Sequence, residues 1–289
     1  MGKFLLISAS AICFSASAFA QQVWYDPVTG EPVSQTVEPA YPAASQYYES
    51  GYTEPTPQTI QPQSGSKLST DDILFTANVG AVTDYRVRGV SRSDEGPALQ
   101  ASVKAGYAGV YGGVDASTVD LNMDDDAKLE AAFFGGYRTE VGGVDLDGRI
   151  VYNTYPGADN EDLDYWEFIG TAGYDFSAFY GTLTWGMSPN YINDSGMTMY
   201  YGGDVVAPLP IANYDLTARA HLGFQFIGDD NRYVDDNAMD WLVGLNYKEP
   251  TYGVDLGVNW TGTNLDDSDC IEDCGSQLML SAGKSFGWQ

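Results

Sequence analysis

From Ile73 onward the chain alternates with a period of two. Ile73, Phe75, Ala77, Val79 and Ala81 form one series, which Tyr85 and Val87 continue. Between them lie Leu74, Thr76, Asn78 and Gly80, followed by the charged Asp84, Arg86 and Arg88. Successive side chains of a strand point to opposite faces, so the stretch predicts a strand with one apolar and one polar face. The pattern recurs. Leu99, Ala101, Val103, Ala105 and Tyr107 oppose Gln100, Ser102 and Lys104. Leu129, Ala131, Phe133 and Tyr137 oppose Glu130 and Arg138. Val144, Leu146, Ile150 and Tyr152 oppose Asp145, Asp147, Arg149 and Asn153. Tyr214, Leu216, Ala218, Ala220, Leu222, Phe224 and Phe226 oppose Asp215, Thr217, Arg219, His221 and Gln225. Met239, Trp241, Val243, Leu245 and Tyr247 oppose Asp240, Asn246 and Lys248, and Val254, Leu256, Val258 and Trp260 oppose Asp255, Asn259 and Thr261. Weaker candidates at 110–119, 164–174, 179–187, 197–206 and 277–286 bring the expected strands to twelve.

The connections between these strands alternate in character. Polar stretches at Gly89–Pro97, Asp120–Ala127, Tyr155–Leu163, Ser188–Gly196, Gly228–Asn237 and Thr263–Ser276 take turns with mostly short links such as Gly109, Val141-Gly142-Gly143 and Glu249-Pro250-Thr251. Long loops at one end and short turns at the other are the plan of an outer-membrane barrel. An even strand number puts both ends of the barrel chain on the short-turn side, the periplasm. A soluble β-sandwich, the rival all-β fold, buries its apolar face against a second sheet and has no reason to sort its loops. The expected fold is therefore an all-β transmembrane antiparallel β-barrel over residues 71–289.

Two segments precede it. Residues 1–20 read as a signal peptide: Lys3 supplies the positive start, an apolar stretch follows, and Ala18-Phe19-Ala20 fits cleavage after Ala20. Around Cys13, Ser10-Ala11-Ile12 lacks the run a lipoprotein signal needs. Residues 21–70 are rich in Pro, Gln, Ser, Thr and Tyr, as in Glu54-Pro55-Thr56-Pro57-Gln58, and read as a disordered periplasmic extension. Beyond the signal no run of about 18 apolar residues occurs, so no transmembrane helix is expected.

Composition sharpens this picture. The 13 Lys+Arg against 40 Asp+Glu give a net charge of −27, which excludes nucleic acid as a partner. The 33 Gly, 21 Tyr, 12 Phe and 6 Trp suit a barrel ringed by aromatic girdles, for which Tyr85, Tyr107, Tyr137, Tyr152, Tyr174, Trp185, Tyr247 and Trp260 are candidates near strand ends.

The first hairpin carries a family resemblance. Asp84-Tyr85, then Arg88-Gly89-Val90-Ser91, then Asp94, then Pro97-Ala98-Leu99-Gln100 resembles the opening signature of the TorF family of porin-like proteins, a family without an assigned substrate. The resemblance implies a barrel and suggests a pore. The extension at 21–70 departs from the family pattern. So does the end Ser285-Phe286-Gly287-Trp288-Gln289, since such barrels commonly finish on an aromatic residue that the barrel-assembly machinery reads. The partners implied are outer-membrane lipid and lipopolysaccharide, that machinery, and small solutes or ions.

The candidate chemistry lies on the polar face. Arg86, Arg88, Lys104, Arg138, Arg149, Arg219 and Lys248 share it with Asp84, Glu130, Asp145, Asp147, Asp215, Asp240 and Asp255, and with His221. They are the expected pore-lining residues, with charge of both signs able to orient a permeating solute. Equally, they can pair with one another and fill a narrow barrel, because twelve strands lie between filled and open barrels. The stretch Arg88–Glu95 reads either as an inward constriction or as a solvated loop. Cys270 and Cys274 are expected to form a disulfide after export, since zinc would need two further ligands. The acidic runs Asp124-Asp125-Asp126, Asp159-Asn160-Glu161-Asp162, Asp229-Asp230-Asn231, Asp235-Asp236-Asn237 and Asp266-Asp267 lack the spacing of a known calcium loop and read as diffuse cation attraction. His221 is the one imidazole in the chain and lies mid-strand on the inward face. No cofactor, metal site or catalysis is expected. The function expected is passive diffusion of small hydrophilic solutes with a cation preference, the alternative being a non-conducting structural barrel.

Overall fold

The computed structural model describes residues 73–122, 127–159, 161–211, 214–228, 233–234 and 237–288, with the backbone of 24–25 and 32–33. The signal at 1–20 and the extension at 21–70 fall outside the described residues apart from those two pairs. So do Asp124-Asp125-Asp126, Asn160, Asp229-Asp230-Asn231 and Asp235-Asp236. The chain divides into two units, Met1–Ala40 and Tyr41–Gln289. In the first, Trp24–Tyr25 pairs antiparallel with Pro32–Val33.

The second unit contains a closed barrel of twelve antiparallel strands. They are β1 (Leu74–Val82), β2 (Ala98–Tyr107), β3 (Val110–Thr118), β4 (Leu129–Val141), β5 (Val144–Thr154) and β6 (Tyr165–Asp175). The second half is β7 (Tyr180–Ser188), β8 (Thr198–Leu209), β9 (Asp215–Ile227), β10 (Ala238–Glu249), β11 (Val254–Thr263) and β12 (Gln277–Trp288). Each strand pairs with its neighbours in sequence. Closure comes from β1 against β12, where Phe75 faces Trp288 and Val82 faces Ser281. Closure leaves no unpaired strand edge, so every ladder donor and acceptor can be met inside the sheet.

The period-two pattern sorts side chains inside out relative to a soluble protein. Leu183 is 71 % exposed, Val243 60 % and Phe133 54 % on the outer face, while Thr182, Gln225 and Asp240 are each 3 % exposed on the inner one. Aromatic residues gather at both ends of the outer face. Near the long loops, Tyr152 packs on Trp166 (centroids 4.7 Å) and Trp241 on Trp260 (6.1 Å). Near the short turns, Phe75 stacks on Trp288 (6.0 Å) and Tyr214 meets Tyr247 (6.0 Å). The short turns are tight for a local reason. At Ala108-Gly109 and Gly142-Gly143 both turn residues have positive φ (49° and 87°, 63° and 84°), the hairpin geometry that matches strand twist.

The first strand is shorter than its pattern suggests. The alternation runs on through Tyr85 and Val87, but the chain leaves the sheet after Val82. Tyr85 is therefore not a girdle residue; it is 8 % exposed. Arg86 and Arg88 do not project from the wall either. They belong to a small hairpin, Arg86–Val87 with Val90–Ser91, folded among the other loops.

Candidate functional site

The hairpin is the centre of the loop end. It turns at Arg88 and Gly89, both with positive φ (52° and 79°). A Cβ at position 89 would stand 2.5 Å from Thr263 Cγ2 and 2.9 Å from the Gly262 carbonyl oxygen, so glycine lets the tip lie directly against β11. Asp84, Arg86, Arg88, Ser91 and Arg92 are all buried. Arg86 donates to the Asp84 carboxylate, to the Gly275 carbonyl and, at 2.9 Å, to the Gly89 carbonyl. Asp84 also accepts from the Ser91 and Ser93 hydroxyls at 2.7 and 3.1 Å. These donors replace the hydrogen bonds that burial takes from the carboxylate.

Beyond its base the hairpin crosses toward the opposite wall. Tyr85 donates to Glu130 of β4 at 2.7 Å. Arg88 pairs with Glu167 of β6, five strands around the ring from β1. Its guanidinium lies over the rings of Tyr200 (4.4 Å) and Tyr191 (5.3 Å), a placement that adds cation–π attraction. Arg92 sits 4.9 Å from the Tyr233 ring centre. Tyr155 donates to the second oxygen of Glu130 at 2.7 Å. Burial, with the Glu130 charge beside it, holds this hydroxyl well above the usual phenol range, so it stays a donor. Around these groups Val82, Val90, Leu121, Leu163, Ile192 and Leu265 close an apolar cluster contributed by several loops.

Below the hairpin the inner wall carries the other candidates in linked groups. Asp147 accepts from Tyr111 at 2.7 Å and lies 3.4 Å from Arg138. Lys104 sits over the Tyr111 ring at 5.7 Å. Asp145 accepts from Tyr180 at 2.6 Å. On the other side Asp204 holds Arg219 at 3.1 Å and His221 Nδ1 at 3.1 Å. His221 Nε2 meets Asp240 at 3.0 Å and the Tyr200 hydroxyl at 2.8 Å. Toward the short turns Lys248 lies 3.6 Å from Asp255, and Asp215 stands opposite Lys248 in the ladder. Cys270 and Cys274 are joined by a disulfide, with Cα atoms 6.3 Å apart, in the last long loop. Among the described residues no group of three or more His, Cys, Asp or Glu is placed to hold a metal ion.

Beside the hairpin lies a cavity of about 70 Å³. Tyr85 and Arg88 border it on the hairpin side; Asp115, Glu130, Arg149 and Glu167 border it on the wall. Arg149 thus shares this space with three carboxylates.

Several members of these groups are absent from the pattern-based set: Asp115, Glu167, Asp204 and Tyr200. Glu167 is the instructive case. Its nearest inner-face neighbours on β6, Tyr165 and Ile169, are an aromatic and an aliphatic residue, both buried, so no run of alternating polar residues flags it. Asp204 was legible in principle, since it lies between Val205 and two glycines in a strand whose other inward residues include Tyr200.

A closed antiparallel barrel with an apolar exterior and a charged interior is the architecture of the outer-membrane porins. Residues 67–285 match the family described as "Bacterial protein of unknown function (Gcw_chp)", and the chain belongs to that family. The TorF likeness of the first hairpin stays a resemblance. No curated protein matches the sequence. Among solved structures, a KdgM porin is 6 % identical, with 73 % of this chain and 99 % of that one covered (TM-score 0.48). The NanC porin is 12 % identical over 74 % and 100 % (TM-score 0.48). OccAB3 of Acinetobacter baumannii is 11 % identical over 72 % and 60 % (TM-score 0.40). Similarity at this level carries no argument about this chain's chemistry; its barrel closure rests on its own strand register.

Proposed function

We propose that this protein is a porin-like channel of the bacterial outer membrane that passes small hydrophilic solutes by diffusion. The observation that carries this reading is the sorting of side chains: a wide apolar band with aromatic ends outside, and charge of both signs inside. An apolar exterior of that extent is costly in water and favourable in lipid. An interior lined by Lys104, Arg138, Arg149, Arg219 and Lys248 against Asp115, Asp145, Asp204, Asp240 and Asp255 suits water and polar solutes. On this reading outer-membrane lipid and lipopolysaccharide cover the band, and the barrel-assembly machinery inserts it. The acidic runs sit in the long loops, so the mouth is negative and the channel prefers cations at low salt. The His221 cluster does not suit hydrolysis. A Ser-His-Asp site needs a nucleophile on one ring nitrogen, and here both nitrogens face carboxylates.

Liposome swelling tests the reading. Vesicles holding the refolded protein swell in small sugars, and ion gradients give reversal potentials of the cation-selective sign that shrink as salt rises. Swelling no faster than in empty vesicles ends the channel reading; an anion-selective sign ends the cation preference. One observation favours a second reading, a non-conducting barrel: the inward hairpin occupies the mouth. Absence of swelling supports it.

A further inference from the structure

We propose that the tip of the first-loop hairpin, pinned across the lumen by Arg88 to Glu167, sets the size limit of the pore. The proposal rests on the channel reading.

The hairpin is held at two separate places. Its base is fixed within the loops: Arg86 to Asp84 and to the Gly275 carbonyl, the Ser91 amide to the Asp273 carbonyl at 2.7 Å, and the Asp120 amide to the Arg92 carbonyl at 2.9 Å. Its tip is fixed by Arg88, which reaches Glu167 on β6 and lies over Tyr200 of β8, while Gly89 packs against β11. The tip therefore spans from β11, two strands from β1, to β6 and β8 across the ring. Breaking the Arg88–Glu167 pair detaches the tip from β6 and leaves the base in place.

One cavity borders the tip directly. The cavity of about 70 Å³ holds only a few water-sized molecules, each needing about 10–15 Å³. Arg88 and Glu167 both border it, so the pair that positions the tip also faces the space beside it. Pin and filter are one ion pair, which makes Arg88 and Glu167 specificity-determining residues for permeation.

The test compares wild-type protein with Arg88→Ala and Glu167→Gln in planar bilayers and in liposomes with sugars of graded size. Correct folding is checked by heat-modifiable gel mobility. If the pair is a pin, both variants raise unitary conductance by about twofold or more and admit larger sugars, although they change the local charge in opposite directions. If the pair acts only through charge, the two variants shift ion selectivity oppositely and leave the sugar cut-off unchanged, and the proposal fails. Glu167→Gln keeps the side-chain volume and carries the test should Arg88→Ala not fold. A silent wild type with conducting variants supports the pin and overturns free diffusion through the resting pore. A conducting wild type with variants like it overturns the pin and leaves the channel. Silence in all three overturns both.

Discussion

Arg86→Ala probes how the hairpin is held in the mouth. Arg86 and Asp84 are each 1 % exposed, and the guanidinium supplies Asp84 with its charged donor. Removing one partner of a buried ion pair costs about 3–5 kcal/mol, because the other charge is left behind. Here the Ser91 and Ser93 hydroxyls continue to bond Asp84, so the lower figure of about 3 kcal/mol applies. The barrel ladder does not depend on Arg86, so the loss falls on local opening of the hairpin. At about 1.4 kcal/mol per decade this is roughly a hundredfold rise in the open fraction. Two amides report it: Ser91, which donates to the Asp273 carbonyl, and Arg92, which donates to the Tyr85 carbonyl, both at 2.7 Å. Their hydrogen exchange in detergent or lipid is expected to quicken about a hundredfold, with strand amides unchanged. Adding Asp84→Asn removes the stranded charge and slows exchange again. A change of about twofold or less at both amides in a folded variant, the scale of an ordinary surface substitution, would show that Arg86 does not hold the hairpin in place.

Two further outcomes follow from the same structure. Leu183→Arg places a charge on the outer face near mid-strand and should lower the stability of reversible folding into bilayers by about 2–4 kcal/mol; unchanged stability would put that face in water. Non-reducing peptide mass spectrometry should find Cys270 linked to Cys274, and reduction should quicken exchange at Ser91, whose acceptor Asp273 lies inside the closed loop. A disulfide closing so short a loop is worth roughly 2 kcal/mol, and two freely alkylated thiols in native protein would contradict the link.

The strands were legible because nearly every one keeps an apolar outer face and a polar inner face, an alternation that runs the length of the strand. Leu222, Phe224 and Phe226 against His221, Gln225 and Arg219 leave little choice of face. The rule failed where the chain was buried on both sides. From Thr83 to Val87 the alternation continues, yet Tyr85 and Arg86 are both buried in the loop cluster, so period two no longer marks a wall strand. The signal that could have ended β1 is Asp84-x-Arg86 followed by Gly89, a self-pairing turn. Glu167 was hidden by apolar inner-face neighbours. Its pairing with Arg88 joins residues 79 positions apart, which no local pattern reveals. The polar groups on the wall could be placed on a face from sequence, but whether they pair depends on strand register. Arg219 and His221 meet Asp204 only because β8 and β9 align Asp204 opposite His221.

Single-channel recording of the refolded protein in planar bilayers decides whether the barrel conducts. Discrete conductance steps are expected for the wild-type barrel, with a cation-selective reversal potential at low salt. A protein that is folded by its gel mobility and inserted in the membrane, yet gives no steps at any voltage, would contradict the channel reading.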